Sequence, residues 1–194
     1  MGGPGDETVT DALASLERGE AGARERLMAL VYDELRALAR ARMAEESPGA
    51  TLEPTALVHE AYLRLVGERA PWRSRGQFFG AASLAMRRIL VDRARARAAQ
   101  KRGGDRDRVT VADFEADPAA GGVDIVALDD ALTRLGAMDA RLAEVVQLRF
   151  FAGLSVEQTA EALGSSERTV KRDWSFARAW LHKELAAGAG RVGA

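Results

Sequence analysis

Apolar residues recur three and four positions apart through most of this 194-residue chain, a spacing that commits it to helices packed through one face. From Val9 to Ala44 the series is Leu13, Leu16, Leu27, Leu30, Val31, Leu35 and Leu38. Gly19 and Gly22 interrupt it and predict two helices, the first capped by Thr10 with Asp11 at the positive end of the dipole. Ser47-Pro48-Gly49 is a stop signal. Pro54 opens the next helix at a first-turn position, where a missing N–H does no harm. Leu57, Val58, Ala61, Leu65 and Val66 form its apolar face, and Gly67 ends it. Ala70 to Gly76 reads as a loop. A helix from Gln77 to Ala99 follows, with Phe78, Ala82, Ala85, Met86, Ile89 and Leu90 on one side. No segments pair convincingly as strands, and no repeat is visible. An apolar set built on Ala and Leu, with 6% aromatics, also favours helix.

Several classes of function are disfavoured early. The chain has no cysteine, which excludes disulfides and thiolate metal sites and suits a reducing cytosol. Met1 to Thr10 lacks the apolar region of a signal peptide, and no apolar run approaches the ~20 residues that cross a bilayer. A cytoplasmic protein without membrane insertion is expected. There is no P-loop, no Gly-rich nucleotide fingerprint and no metal-ligand cluster. His59 and His182 lie far apart in helical patterns. No catalytic, cofactor-binding or metal-binding residues are expected, and the chain is read as a non-enzyme.

The formal net charge of −1 argues weakly against nucleic acid, but the distribution of charge argues for it. Ala70 to Arg102 holds nine Lys/Arg and one acid, Gly103 to Asp130 eight acids and two Arg, and Ser165 to Lys183 five Lys/Arg and two acids. Two basic blocks flank an acidic one. Gly103 to Val123 reads as a solvated linker. Beyond it, helices are predicted over Ile125–Leu135, Ala140–Phe151, Val156–Leu163 and Glu167–Leu185, with a frayed tail from Ala186.

The sharpest local signal is Ala152 to Leu185. Ser155 and Gln158 form a capping box, Ala160 leaves room for close packing, and Gly164 supplies a left-handed turn. Ser165 and Ser166 can cap the last helix. Val170, Trp174 and Ala177 give it an apolar face, which places Trp174 inside. The opposite face carries Arg168, Thr169, Lys171, Arg172 and Ser175. This is a helix-turn-helix pattern, whose second helix enters the major groove: Arg pairs with guanine edges, while Ser, Thr and Lys hold phosphates. A helical hairpin with a solvated basic face has the same outline.

The other basic block mixes charge with aromatics: Trp72, Arg73, Ser74, Arg75, Phe78 and Phe79 precede Arg87, Arg88, Arg93, Arg95 and Arg97. Exposed aromatics beside arginines suit single-stranded DNA. Phe78 also has the spacing of a core residue, and Trp72 could cover a helix end. A ligand-sensing helix-turn-helix regulator accounts for Ser155 to Lys183 but not for this block.

From Val9 to Leu185 the chain resembles the extracytoplasmic-function group of sigma-70 family factors. The resemblance rests on Leu30-Val31-Tyr32-Asp33-Glu34-Leu35-Arg36, on the run from Pro54 to Leu65, and on Thr169-Val170-Lys171-Arg172-Asp173-Trp174. It implies an all-α fold of two small helical domains, sigma region 2 over 8–102 and a region 4 helix-turn-helix over 124–186, joined by a flexible acidic linker over 103–123. It implies core RNA polymerase as partner, mainly the clamp helices of its β′ subunit and also β, together with promoter DNA, and it leaves room for an anti-sigma factor. Leu57, Val58, His59 and Glu60 would dock on the polymerase. Ala56 and His59 stand where the family more often has Asp and Gln. Trp72, Arg73, Ser74, Arg75, Phe78, Phe79, Arg87, Arg88 and Arg95 would face the −10 element and assist its melting; Arg88 stands where an Asn is common. Ser165, Ser166, Arg168, Thr169, Lys171, Arg172 and Ser175 would face the −35 element. On physical grounds the acidic linker, with Asp113, Glu115 and Asp117, would thread through positive polymerase channels and avoid tight promoter binding by the free factor.

Overall fold

The structure is a computed structural model that describes residues 8–43, 52–67, 72, 74–100, 108–109 and 123–189. The expected helices form: α1 (Val9–Glu17), α2 (Ala23–Met43), α3 (Pro54–Gly67), α4 (Arg75–Gln100), α5 (Ile125–Met138), α6 (Ala140–Val146), α7 (Val156–Ala162) and α8 (Glu167–Ala189). Thr8, not Thr10, caps α1. The Thr8 side chain accepts from the Asp11 amide while the Asp11 carboxylate accepts from the Thr8 amide, so the residue three before the acid takes the cap. The chain turns between α1 and α2 through Gly19 and Gly22, both at positive φ. Helix α8 runs four residues past the expected end at Leu185.

In α2 the buried stripe is Ala23, Leu27, Val31, Leu35 and Ala39, a strict spacing of four. Leu30, expected in the apolar series, lies beside that stripe and is exposed. Helix α3 packs Leu57, Val58, Ala61 and Leu65 against α2 and α4. Helix α4 is buried on more than one side: Phe78, Phe79, Ala82, Ala85, Met86, Ile89, Leu90, Val91 and Ala94 are all inside. A helix apolar around most of its circumference needs neighbours around most of it. Helices α2 and α3 supply one set, and α5, α7 and the chain after α6 supply the other.

That chain departs from expectation. Ala140–Phe151 was expected as one regular helix, but after Val146 it widens into a π-helical turn, Gln147–Phe151, in which the Ala152 amide donates to the Gln147 carbonyl at 3.0 Å. The wider turn buries Gln147, Leu148, Phe150 and Phe151 almost in succession. Leu148 joins the α1–α4 core, and Phe150 and Phe151 join the core of α5, α6 and α8. Ile125, Ala152 and Leu154 also enter the α1–α4 core, so the largest apolar cluster spans both halves of the chain. A small third cluster of Val145, Ala160 and Val170 holds α7 between α6 and α8.

No strand pair was expected, yet β1 (Arg108–Val109) and β2 (Val123–Asp124) form a two-residue antiparallel ladder, Arg108 opposite Asp124 and Val109 opposite Val123. Two residues per strand leave no alternation for a pattern to reveal. The rest of the expected linker lies outside the described residues, including Asp113, Glu115 and Asp117. Among the described residues no helix is long and apolar enough to cross a membrane.

The core position of Phe79, 2% exposed and edge-on to Phe78 at 5.6 Å, sets an expected outcome. Phe79→Ala should lower the unfolding free energy by about 3–5 kcal/mol in urea titration. A loss below about 1 kcal/mol would show a ring free to leave the core.

Candidate nucleic-acid interface

Helices α7 and α8 form the expected helix-turn-helix. Ser155 and Gln158 exchange side chain-to-amide bonds of 3.1 and 2.9 Å at the start of α7. Gly164, at φ +57°, reverses the chain and lets the Ser165 amide reach the Ala160 carbonyl at 2.8 Å. Ser166 caps α8: its hydroxyl accepts from the Thr169 amide at 3.2 Å and bonds the Thr169 hydroxyl at 2.9 Å. Val170, Ala177 and Leu181 are buried, and Trp174 packs half-buried beside them under the guanidinium of Arg149.

A buried carboxylate fixes the placement of this pair. Asp173 accepts from Arg141 Nε of α6 at 2.8 Å and from Arg172 Nη2 at 2.9 Å. Arg141 also donates to the Ser165 hydroxyl at 2.5 Å, tying α6 to the turn. Burial pushes the Asp173 carboxyl up, but the bonds from Arg141 and Arg172 outweigh it and hold the group below its ordinary value.

The solvent face of α8 presents Arg168, Lys171, Arg172 and Ser175. Arg172 keeps most of its side chain in solvent while Asp173 steadies its guanidinium, which reduces the side-chain entropy lost on contact. Lys171 pairs with Glu167 one turn back at 3.2 Å, and the Ser175 hydroxyl donates to the Lys171 carbonyl at 2.9 Å. Thr169 and Ser165 are half-buried, and Ser165 already serves Arg141. Phe176 was not singled out from the sequence. It is exposed beside Ser175, and its place one residue before the buried Ala177 is the signal that could have found it.

The expected −10 residues behave differently. Trp72 is half-buried, edge-on to Phe78 at 5.5 Å. Phe78 and Phe79 lie in the core, so neither can stack on a base in this arrangement; their spacing is that of a packing stripe. Ser74 caps α4, accepting from the Gln77 amide at 3.2 Å. Arg75 lies over the Phe79 ring and pairs with Glu34. Arg73 lies outside the described residues. Arg88 is exposed, but Arg87 and Arg95 turn toward the second half of the chain. Arg87 donates to Gln147 at 3.0 Å and pairs with Asp129 at 3.3 Å; Arg95 meets Asp129 at 3.3 Å and Asp130 at 2.9 Å. Burial pushes the Arg87 guanidinium down from its ordinary value, Asp129 opposes that, and Arg88 adds to it.

The expected polymerase-docking run is split by the helix. Leu57 and Val58 are wholly buried against α2 and α4 and cannot touch a partner; only one side of a packed helix is free. His59 is exposed beside Tyr32, and Glu60 holds Arg64 at 3.0 Å and Arg93 at 3.3 Å. Leu63, which sequence reasoning missed, is 72% exposed on the turn after His59. Ala56, His59 and Leu63, spaced three and four apart, share the solvent side of α3. Among the described residues no group of three or more His, Asp or Glu could hold a metal ion.

The Asp173 geometry sets a signed prediction. A carboxyl lowered on folding stabilises above its unfolded pKa, and the contribution is lost as pH falls through the folded value. Asp173→Asn should cost about 1–3 kcal/mol at neutral pH, and the gap to wild type should close below about pH 4, read by thermal melts across pH. A gap that persisted unchanged at low pH would refute the ionised role.

The sequence model of one protein family, described as ECF sigma factor, matches residues 6–187. No curated protein matches the chain.

Proposed function

This chain belongs to the ECF sigma factor family, and on that premise we propose that it joins core RNA polymerase in the cytoplasm, directs it to promoters through −10 and −35 elements and assists strand opening. ECF sigma factors initiate transcription by this partnership rather than by chemistry of their own. The observation that carries the reading is the α7–α8 pair: a capped helix-turn-helix whose second helix turns Arg168, Lys171 and Arg172 to solvent. That face suits the major groove of a −35 element, with Arg172 oriented by Asp173 for a guanine edge or a phosphate. Phe176 adds an apolar contact for a thymine methyl.

Residues 8–102 are proposed as region 2 and 124–186 as region 4. The polymerase-facing surface is proposed as the solvent side of α3, with Ala56, His59, Glu60 and Leu63 toward the β′ clamp helices. Leu57 and Val58 support that surface from beneath. The −10 element is proposed to meet α4, with Trp72, Arg75, Arg88 and the arginines that follow. An anti-sigma factor would compete for the same surfaces.

Run-off transcription with core polymerase on genomic DNA tests the function. Discrete starts that depend on this chain are expected; none, beside an active control factor, would refute it. Arg172→Ala should reduce initiation from a −35-dependent promoter by about tenfold. Leu63→Asp should weaken binding to core polymerase without unfolding α3, because the side chain buries little in the free protein. Full polymerase affinity in Leu63→Asp would move the docking surface elsewhere.

A further inference from the structure

A cavity of about 510 Å³ opens where α4, α5, α6 and α7 meet. Packed interiors leave few voids larger than a water molecule, whereas small-molecule sites run from about 300 to 1,000 Å³. The walls are mostly apolar: Ala81 and Leu84 of α4, Leu132 of α5, Leu148 of the π-helical turn and Leu163 after α7. Trp72 is the one aromatic ring among the lining residues.

Most of the polar lining is engaged with the protein itself. Gln147 accepts from Arg87 at 3.0 Å and donates to the Ser83 hydroxyl at 2.8 Å. The Thr133 hydroxyl donates to the Asp129 carbonyl at 2.9 Å. Asp129 lies 3.3 Å from Arg87 Nε and matches its charge. Glu144 is different. It lines the cavity and is exposed, and its carboxylate has no ion pair or hydrogen bond among the described residues. The charge left uncompensated around the cavity is therefore negative, and its exposure puts it at the mouth.

Three features define what fills such a site. A carboxylate without a counter-ion favours a cation. An indole ring attracts a cation to its face, more strongly where water is excluded. Leucine walls favour an apolar body. A bare metal ion would leave those walls unused, and among the described residues no group of three or more His, Asp or Glu could hold one. We propose that the cavity binds an amphipathic organic cation. Its ammonium group lies toward Glu144 and Trp72, and its aromatic or branched aliphatic body lies against Leu84, Leu132 and Leu163. The Thr133 oxygen, which donates its own hydrogen to Asp129, keeps a lone pair for an ammonium N–H. The site goes beyond the sigma reading and does not depend on it.

Three probes of one shape test it by calorimetric titration of the full chain: 1-naphthylmethylammonium, 1-naphthylmethanol and 1-naphthoate. The ammonium should bind with a Kd below about 1 mM, the alcohol about tenfold more weakly, and the carboxylate not measurably. Glu144→Gln should weaken the ammonium about fivefold and leave the alcohol unchanged. Because Glu144 is exposed and unpaired, this variant should fold as wild type does. Leu84→Trp, which fills the cavity, should abolish binding of both. In a proton–nitrogen correlation spectrum, the ammonium should move the indole N–H signal of Trp72, assigned by its loss in Trp72→Phe, and leave those of Trp174 and Trp180 in place. Absence of ammonium binding at about 10 mM would overturn the proposal. So would a naphthoate that binds as well as the ammonium, an unchanged ammonium affinity in Glu144→Gln, or a Trp72 signal that stays where it is at saturation.

Discussion

Helix α4 is the element on which the rest of the arrangement depends, because its apolar surface is too wide for one partner. Phe78, Phe79, Ala82, Met86 and Ile89 need α2 and α3, but Gly80, Ser83 and Arg87 face the π-helical turn and α5. A bundle of the first four helices alone would leave that second side in water. The second half covers it with Leu148, Ala152, Leu154 and Ile125, which enter the first core although they follow the acidic segment. The π-helical turn makes this possible. A regular helix would repeat one face every three or four residues, whereas the widened turn sends Leu148 into one core and Phe150 and Phe151 into the other. Arg42 reinforces the joint from α2, donating to the Phe150 carbonyl with its guanidinium over the Phe150 ring.

Most of the helices were legible because periodicity and caps are local. The Ser155–Gln158 box, the Gly164 turn and the Val170–Ala177 face each involve residues within one or two helical turns, and all took the expected form. The cap of α1 was placed two residues late because Thr8 and Thr10 are both good caps, and only the reciprocal bonds with Asp11 choose between them. What could not be read was non-local. Nothing in the order of residues says that Asp129 will lie against Arg95, or that Gln147 will bridge Ser83 and Arg87. A polar pair separated by tens of residues carries no periodic signal.

The candidate site was legible where function and packing use opposite sides of a helix, and not where they compete for one. On α8 Arg168, Lys171, Arg172 and Ser175 are exposed opposite the buried stripe, whereas Ser165 and Thr169 are half-buried and the exposed Phe176 and Arg178 carry no such expectation. On α3 the run Leu57 to Glu60 mixes the two sides, and the structure assigns its first two residues to the core and its last two to the surface. On α4 the aromatics at 78 and 79 fitted both a stacking role and a packing role, and packing took them. A contiguous motif in a helix always divides in this way, since neighbouring side chains point about 100° apart.

The charge map gains a different meaning from this geometry. Read linearly, the acids of Gly103 to Asp130 separate two basic blocks, as though their work were to keep the chain off DNA from a distance. Asp129 and Asp130 act instead by contact, one turn into the first helix after the linker, on arginines of the basic block itself. Screening at physiological salt reaches only about 8 Å, so a distant acidic segment would act on α4 weakly, whereas Asp129 and Asp130 meet its arginines at 2.9–3.3 Å. Arg87 shows how the balance is set. Its side chain is largely buried; Gln147 accepts from one nitrogen at 3.0 Å, and Asp129 lies 3.3 Å from its Nε as a counter-charge.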